Sequence, residues 1–108
     1  MENILRATAI YSGGGIYLYR AELDNGNWIM GDDDWLIVVN TNPLIDDETF
    51  EDSSYYEWQK EHLVETISDK DYQKVLNNIL EVIFARKTIK EYDNFDEDEL
   101  LYRYKKER

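Results

Sequence analysis

Apolar residues at Tyr72, Val75, Leu76, Ile79, Leu80 and Ile83 recur every three or four positions. Wound as a helix, they fall on one face. Val82 and Phe84 widen the stripe at its end. The spacing predicts a long amphipathic helix over about residues 69–87. Ser68 with Asp71 forms a capping-box start. Asp69 and Asp71 lie at the positive end of the helix dipole, and Arg86 and Lys87 at the negative end.

The pattern upstream has a period of two. Asn3–Tyr11 and Ile16–Leu23 read as strands joined by a loop of Gly13–Gly15. In that register Ala9 faces Tyr19, Ala7 faces Ala21, Leu5 faces Leu23, Ile10 faces Leu18 and Arg6 faces Glu22. Asn25-Gly26 suits a two-residue type I′ turn, which sets Leu23 opposite Trp28 and Ala21 opposite Met30. One face then carries Leu5, Ala7, Ala9, Tyr11, Tyr17, Tyr19, Ala21, Leu23, Trp28 and Met30 for the helix. The other mixes Ile10, Leu18 and Ile29 with Thr8, Arg6, Arg20 and Glu22, and is expected to be half solvated. Gly31-Asp32-Asp33-Asp34 is a turn. Trp35–Asn40 is a fourth strand, apolar on both faces, ended by Pro43.

The second half is helical. After an acidic, aperiodic loop over 44–52, Ser53–Gln59 opens a short helix with Ser53 or Ser54 as cap. Residues 62–67 fit neither period cleanly and either continue that helix or form a short strand. Asp96 with Glu99 caps a short C-terminal helix, Glu97 to about Lys106, with Leu100, Leu101 and Tyr104 inside. Strands first and helices second make a single α+β domain over 1–108: an antiparallel β-meander of about four strands, packed on one face by the long helix.

Charge narrows the partners. The 108 residues hold 24 Asp and Glu against 12 Lys and Arg, a formal net charge of −12. Direct nucleic-acid binding and anionic membranes are disfavoured, since both need a basic face. No Lys or Arg occurs from Ala21 to Gln59. No cysteine is present, so disulfides and thiol chemistry are excluded. No secretory leader or bilayer-length apolar run is visible, so the expected location is cytoplasmic.

Candidate chemistry is sparse. The glycine run joins two strands and lacks a following Lys-Ser/Thr, so it reads as a turn rather than a phosphate loop. Neither Asp32–Asp34 nor Asp46–Glu48 has the alternating acids and central glycine of a Ca²⁺ loop, and no cofactor is implied. His62 is the single histidine, and no serine sits in a nucleophile elbow. The expected function is therefore a small acidic, non-enzymatic module that recognises a basic protein surface. The candidate contact residues are Asp32, Asp33, Asp34, Asp46, Asp47, Glu48 and Glu51, with Tyr55 and Trp58 as aromatic anchors. Two alternatives compete: a nucleic-acid-mimicking inhibitor of a nuclease or similar enzyme, and a small enzyme or ligand domain working through carboxylates. A homodimer formed through a sheet edge is a further option.

Overall fold

The apolar stripe of the long helix finds its counterpart on an antiparallel sheet. The computed structural model describes residues 3–12, 15–43, 54–90 and 97–106. Their elements are β1 (Ile4–Ser12), β2 (Gly15–Leu23), β3 (Trp28–Gly31), β4 (Leu36–Val39), α1 (Ser54–His62), β5 (Leu63–Thr66), α2 (Asp69–Phe84) and α3 (Glu97–Lys106). The strands form one sheet in the order β1-β2-β3-β4-β5, every pair antiparallel. The architecture is α+β, as expected, with one strand added. Residues 62–67 divide between both readings: α1 runs to His62, and β5 starts at Leu63. The expected glycine tip at Gly13 and Gly14, the loop over 44–52 and the caps at Ser53 and Asp96 lie outside the described residues.

α2 begins as its sequence predicts. The Asp71 amide donates to Ser68 Oγ at 3.3 Å, and that hydroxyl donates to Asp71 Oδ2 at 3.2 Å. The helix ends at Phe84 rather than Lys87. The Arg86 amide bonds the Ile83 carbonyl, and the Lys87 amide bonds the Val82 carbonyl. Those two bonds make a Schellman stop, which needs a left-handed residue between them. Arg86 fills that place at φ 63°, where glycine is the usual choice. Arg86→Gly is therefore expected to be about 1 kcal/mol more stable than Arg86→Ala, since both lose the exposed Arg86–Glu97 pair and only alanine retains the left-handed penalty. Urea unfolding of the two variants checks this, and equal midpoints would show that the turn carries no backbone strain.

The helix packs where Ala7, Ala9 and Ala21 leave room. With Tyr19, Leu23, Ile29, Leu36 and Val38 they meet Val75, Leu76, Ile79, Leu80 and Ile83 in one buried cluster. α3 docks through Leu100, which is fully buried, and through Tyr104, whose ring meets Phe84 edge-on and whose hydroxyl donates to Glu81 at 2.9 Å. That docking stabilises a helix too short to stand alone. Leu101, expected inside, is 39% exposed.

Three register expectations need correction. β2 pairs with β3 as Ala21↔Ile29 and Glu22↔Trp28, one residue away from the predicted alignment. The Gly26 amide bonds the Leu23 carbonyl and the Leu23 amide bonds the Asn27 carbonyl, so the loop holds Asp24, Asn25 and Gly26, with Gly26 at φ 91°. This is the three-residue hairpin, a type I turn followed by a left-handed glycine, rather than a two-residue type I′ turn. A one-residue slip turns over every side chain. Ile29 therefore joins the helix side, while Trp28 and Met30 join the other.

On β1, an irregularity between Ile4 and Arg6 sets Ile4 opposite Leu23 and leaves Leu5 49% exposed. At the far end the pairs are Tyr11↔Ile16 and Ser12↔Gly15, which shortens the expected loop by one residue. The faces expected for the Tyr11 and Tyr17 side chains lie outside the described residues.

The second sheet face is also buried, not half solvated. Leu18, Trp28, Met30, Ile37, Val39 and Ile89 form a second cluster, against which Ile10, Trp35 and Trp58 pack. Arg20, placed at the solvent by the polar pattern, is 1% exposed. Its guanidinium lies 5.3 Å from the Trp28 ring centroid and donates to Asn42 Oδ1.

Candidate functional site at the acidic end of the sheet

Adjacent turns of a meander lie at opposite ends of the strands. The structure therefore separates acids that the sequence runs together. Asp24 sits in the β2–β3 turn at one end, and Asp32–Asp34 in the β3–β4 turn at the other. Glu22 is occupied on the sheet by Arg6 at 3.2 Å. The Asp32–Asp34 end also receives the start of α2, because the Ile67 amide bonds the Leu36 carbonyl just before the helix begins.

The acidic turn is fastened on three sides. The Asp32 amide donates to the Trp35 carbonyl at 2.9 Å. Its side chain accepts from the Asp34 amide at 2.8 Å. Its own carbonyl accepts from the Tyr72 hydroxyl of α2 at 3.0 Å. Asp33 reaches α3 instead, with Oδ1 2.7 Å from Arg103 Nη1. One helical turn back, Glu99 holds the same guanidinium at 3.0 Å. Asp32 and Asp33 are half-buried and Asp34 is exposed. Asp33, Tyr72, Gln73, Leu76, Glu99, Tyr102 and Arg103 enclose a cleft of about 240 Å³. Of these, Tyr102 is 62% exposed.

Burial is the largest influence on Asp33 and holds its pKa above the ordinary value of 3.8. Arg103 opposes the shift, and Asp32, Asp34 and Glu99 add to it. Burial likewise raises the Tyr72 pKa, reinforced by Asp33, Asp32 and Asp34, so the phenol remains a donor to the Asp32 carbonyl. Burial works against the Arg103 charge, but Asp33, Tyr19 and Glu99 outweigh it, and the Arg103 pKa rises.

A pH prediction follows from the sign of the Asp33 shift. The folded chain holds this proton more tightly than the unfolded chain does. The contribution to stability is greatest with Asp33 protonated, and it falls as pH rises from 3.8 through the raised value. Wild type is expected to lose stability relative to Asp33→Asn across that window. Urea unfolding of both at a series of pH values is the check. A wild type that gained on the variant with rising pH would mean that Arg103 outweighs burial.

The remaining candidates fall elsewhere. Asp46, Asp47, Glu48 and Glu51 lie outside the described residues, as does the Tyr55 side chain. Trp58 of α1 packs inward on the second-face cluster and stands edge-on to His62, with centroids 4.5 Å apart. Among the described rings of α1, Tyr56 is 66% exposed. Sequence reasoning missed Tyr72, Glu99, Tyr102 and Arg103. The four-residue spacing of Glu99 and Arg103 was the available signal, but nothing local joined α3 to the Asp32–Asp34 turn.

Among the described residues, no three His, Asp or Glu side chains gather as a metal ion would require, and no helix is long and apolar enough to cross a membrane. No protein-family model matches this chain, and no curated protein or solved structure matches it either.

Proposed function

We propose that this chain is a non-enzymatic binding module whose acidic end recognises a basic protein surface. One observation carries the reading: the fold gathers Asp33, Glu99 and the exposed Tyr102 ring around a single cleft, with Asp32 and Asp34 on either side of Asp33 in the turn. A solvent-facing aromatic beside carboxylates is suited to a partner's lysine or arginine, with the ring stacking on the cation and the acids steering its approach. The net charge of −12 extends that steering over the whole molecule. Asp34 and Tyr102 are the direct contacts in this reading, while Asp33 positions the turn through Arg103.

The test is affinity capture from the native cell with wild type and with an Asp34→Asn/Tyr102→Ala double variant. Both changes are at exposed positions, so the variant is expected to keep its unfolding midpoint within about 0.5 kcal/mol of wild type. It is expected to lose the basic partners that wild type retains at low salt. Capture of the same basic partners by both proteins would end the reading. A captured nuclease that DNA displaces would narrow it to phosphate mimicry.

A further inference from the structure

We propose that the outer edge of β5 is a docking strand for an extended basic segment of a partner protein. It rests on the acidic-module reading in one respect, the choice of a basic occupant.

The two edges of the sheet are treated differently. At the β1 edge, the Ala7 amide donates to the Lys87 carbonyl at 2.9 Å and the Ile89 amide donates to the Ala7 carbonyl at 3.3 Å. The chain leaving α2 thus runs parallel to β1 and covers it, as Ala7 pairs with Thr88. Edges covered in this way are closed to other strands. At the other edge, no described strand pairs with the outer side of β5.

β5 is unusual for a strand ending a two-faced core, because all four of its residues are exposed. Leu63 and Val64 keep 45% and 49% of their surface in solvent. The Ile67 amide bonds the Leu36 carbonyl, and Glu65 lies opposite Val38 two residues further along each strand. In an antiparallel ladder the residues between bonded pairs turn their N–H and C=O groups away from the neighbour. On β5 that residue is Thr66, between Glu65 and Ile67, whereas Val64 falls at an irregularity opposite Val38 and Val39 that interrupts the alternation. Beside Thr66 a groove of about 600 Å³ opens between β5 and α2.

Charge decides between occupants. Glu65 of β5 lines the groove with Asp71 and Lys74 of α2. Glu61 precedes β5 and Asp69 follows it. A second copy of the chain would bring another Glu65 to this edge and set −12 against −12, which disfavours self-pairing. A segment alternating basic and apolar residues meets both features. Its main chain bonds Thr66, its apolar side chains cover Leu63 and Val64, and a lysine or arginine enters beside Glu65 and Asp71.

The probe is a nine-residue peptide alternating lysine with valine or threonine, titrated into the isotopically labelled full chain. The Thr66 amide is expected to shift and to exchange more slowly on binding. Thr66→Pro removes an outward donor without touching the ladder to β4, so it is expected to weaken binding at least tenfold while Val38 keeps its amide protection. The same peptide, N-methylated at alternate residues, tests the point on unaltered protein and is expected not to bind. Equal binding by Thr66→Pro or by the methylated peptide would overturn edge docking while leaving the acidic-module reading to its Asp34/Tyr102 test. Absence of binding would overturn it too. So would a dimer in sedimentation that Thr66→Pro abolishes, which would make the second copy the occupant.

Discussion

Replacing Gly31 by alanine is expected to cost more than about 4 kcal/mol, a large share of what a domain of this size has to lose. A Cβ on Gly31 would stand 2.0 Å from the Trp35 carbonyl oxygen and 2.9 Å from the Leu36 Cα. Both are backbone atoms, so no rotamer change relieves the overlap. Gly31 lies between Tyr19 on β2 and Leu36 on β4, and the Trp35 carbonyl is fixed by the Asp32 amide at 2.9 Å. Any retreat must therefore part strands or break the turn that carries Asp32–Asp34. Gly26 supplies the contrast. It sits at φ 91° with nothing within 4 Å of an added Cβ. Gly26→Ala should cost only the left-handed penalty of about 1 kcal/mol. Denaturant unfolding separates the two. If Gly31→Ala cost no more than Gly26→Ala, the close approach of β3 to the turn would be wrong.

The same stretch shows where the fold was legible. The helix-facing stripe of α2 and the middle of the β1–β2 ladder, from Arg6↔Glu22 to Ile10↔Leu18, follow from periodicity and cross-strand pairing. Each has one strongly preferred face. β3 does not, because Trp28, Ile29 and Met30 are all apolar and all buried. With both faces apolar, the pattern no longer pins the register, and the turn alone decides it. Asp24-Asn25-Gly26 accepts either hairpin loop, since both place glycine at positive φ. The second face was misread for a related reason. Arg20 and Thr8 mark a solvent face by type, yet both are buried. What encloses Arg20 arrives from Trp28 and Asn42, and no local window contains that pairing.

The candidate site was half legible. Asp32–Asp34 stood out by composition, but composition could not distinguish Asp34, which faces solvent, from Asp33, which is held by Arg103. Nor could it show that the neighbouring acids at Glu22 and Asp24 belong to other parts of the sheet. The ring beside the acids is Tyr102, from a helix assigned only a packing role. Trp58, expected as an anchor, faces the second-face cluster because β4 and β5 bring α1 over that side. The acidic end is assembled by contacts between distant elements, such as Tyr72 with Asp32 and Arg103 with Asp33, and these become visible only in three dimensions.

Ile79→Asp is expected to abolish cooperative folding. Ile79 has no exposed surface and sits in the cluster joining α2 to Ala7, Ala9, Tyr19 and Ala21. Truncating such a side chain to valine should cost about 0.5–1.5 kcal/mol, the ordinary price of one lost methyl. A carboxylate is different in kind. No described basic side chain belongs to this cluster, and an ionised group left there loses its hydration without gaining a partner. Protonation would lessen the penalty, so any residual structure should be stronger at low pH than at neutral pH. Circular dichroism and urea unfolding of Ile79→Val and Ile79→Asp at both pH values test the argument. The exposed substitution Asp34→Asn serves as the control, with a midpoint expected to match wild type. Retained cooperative unfolding of Ile79→Asp at neutral pH would mean that α2 is not the element on which the sheet is built. The acidic end, which hangs from α2 through Tyr72, would then need another support.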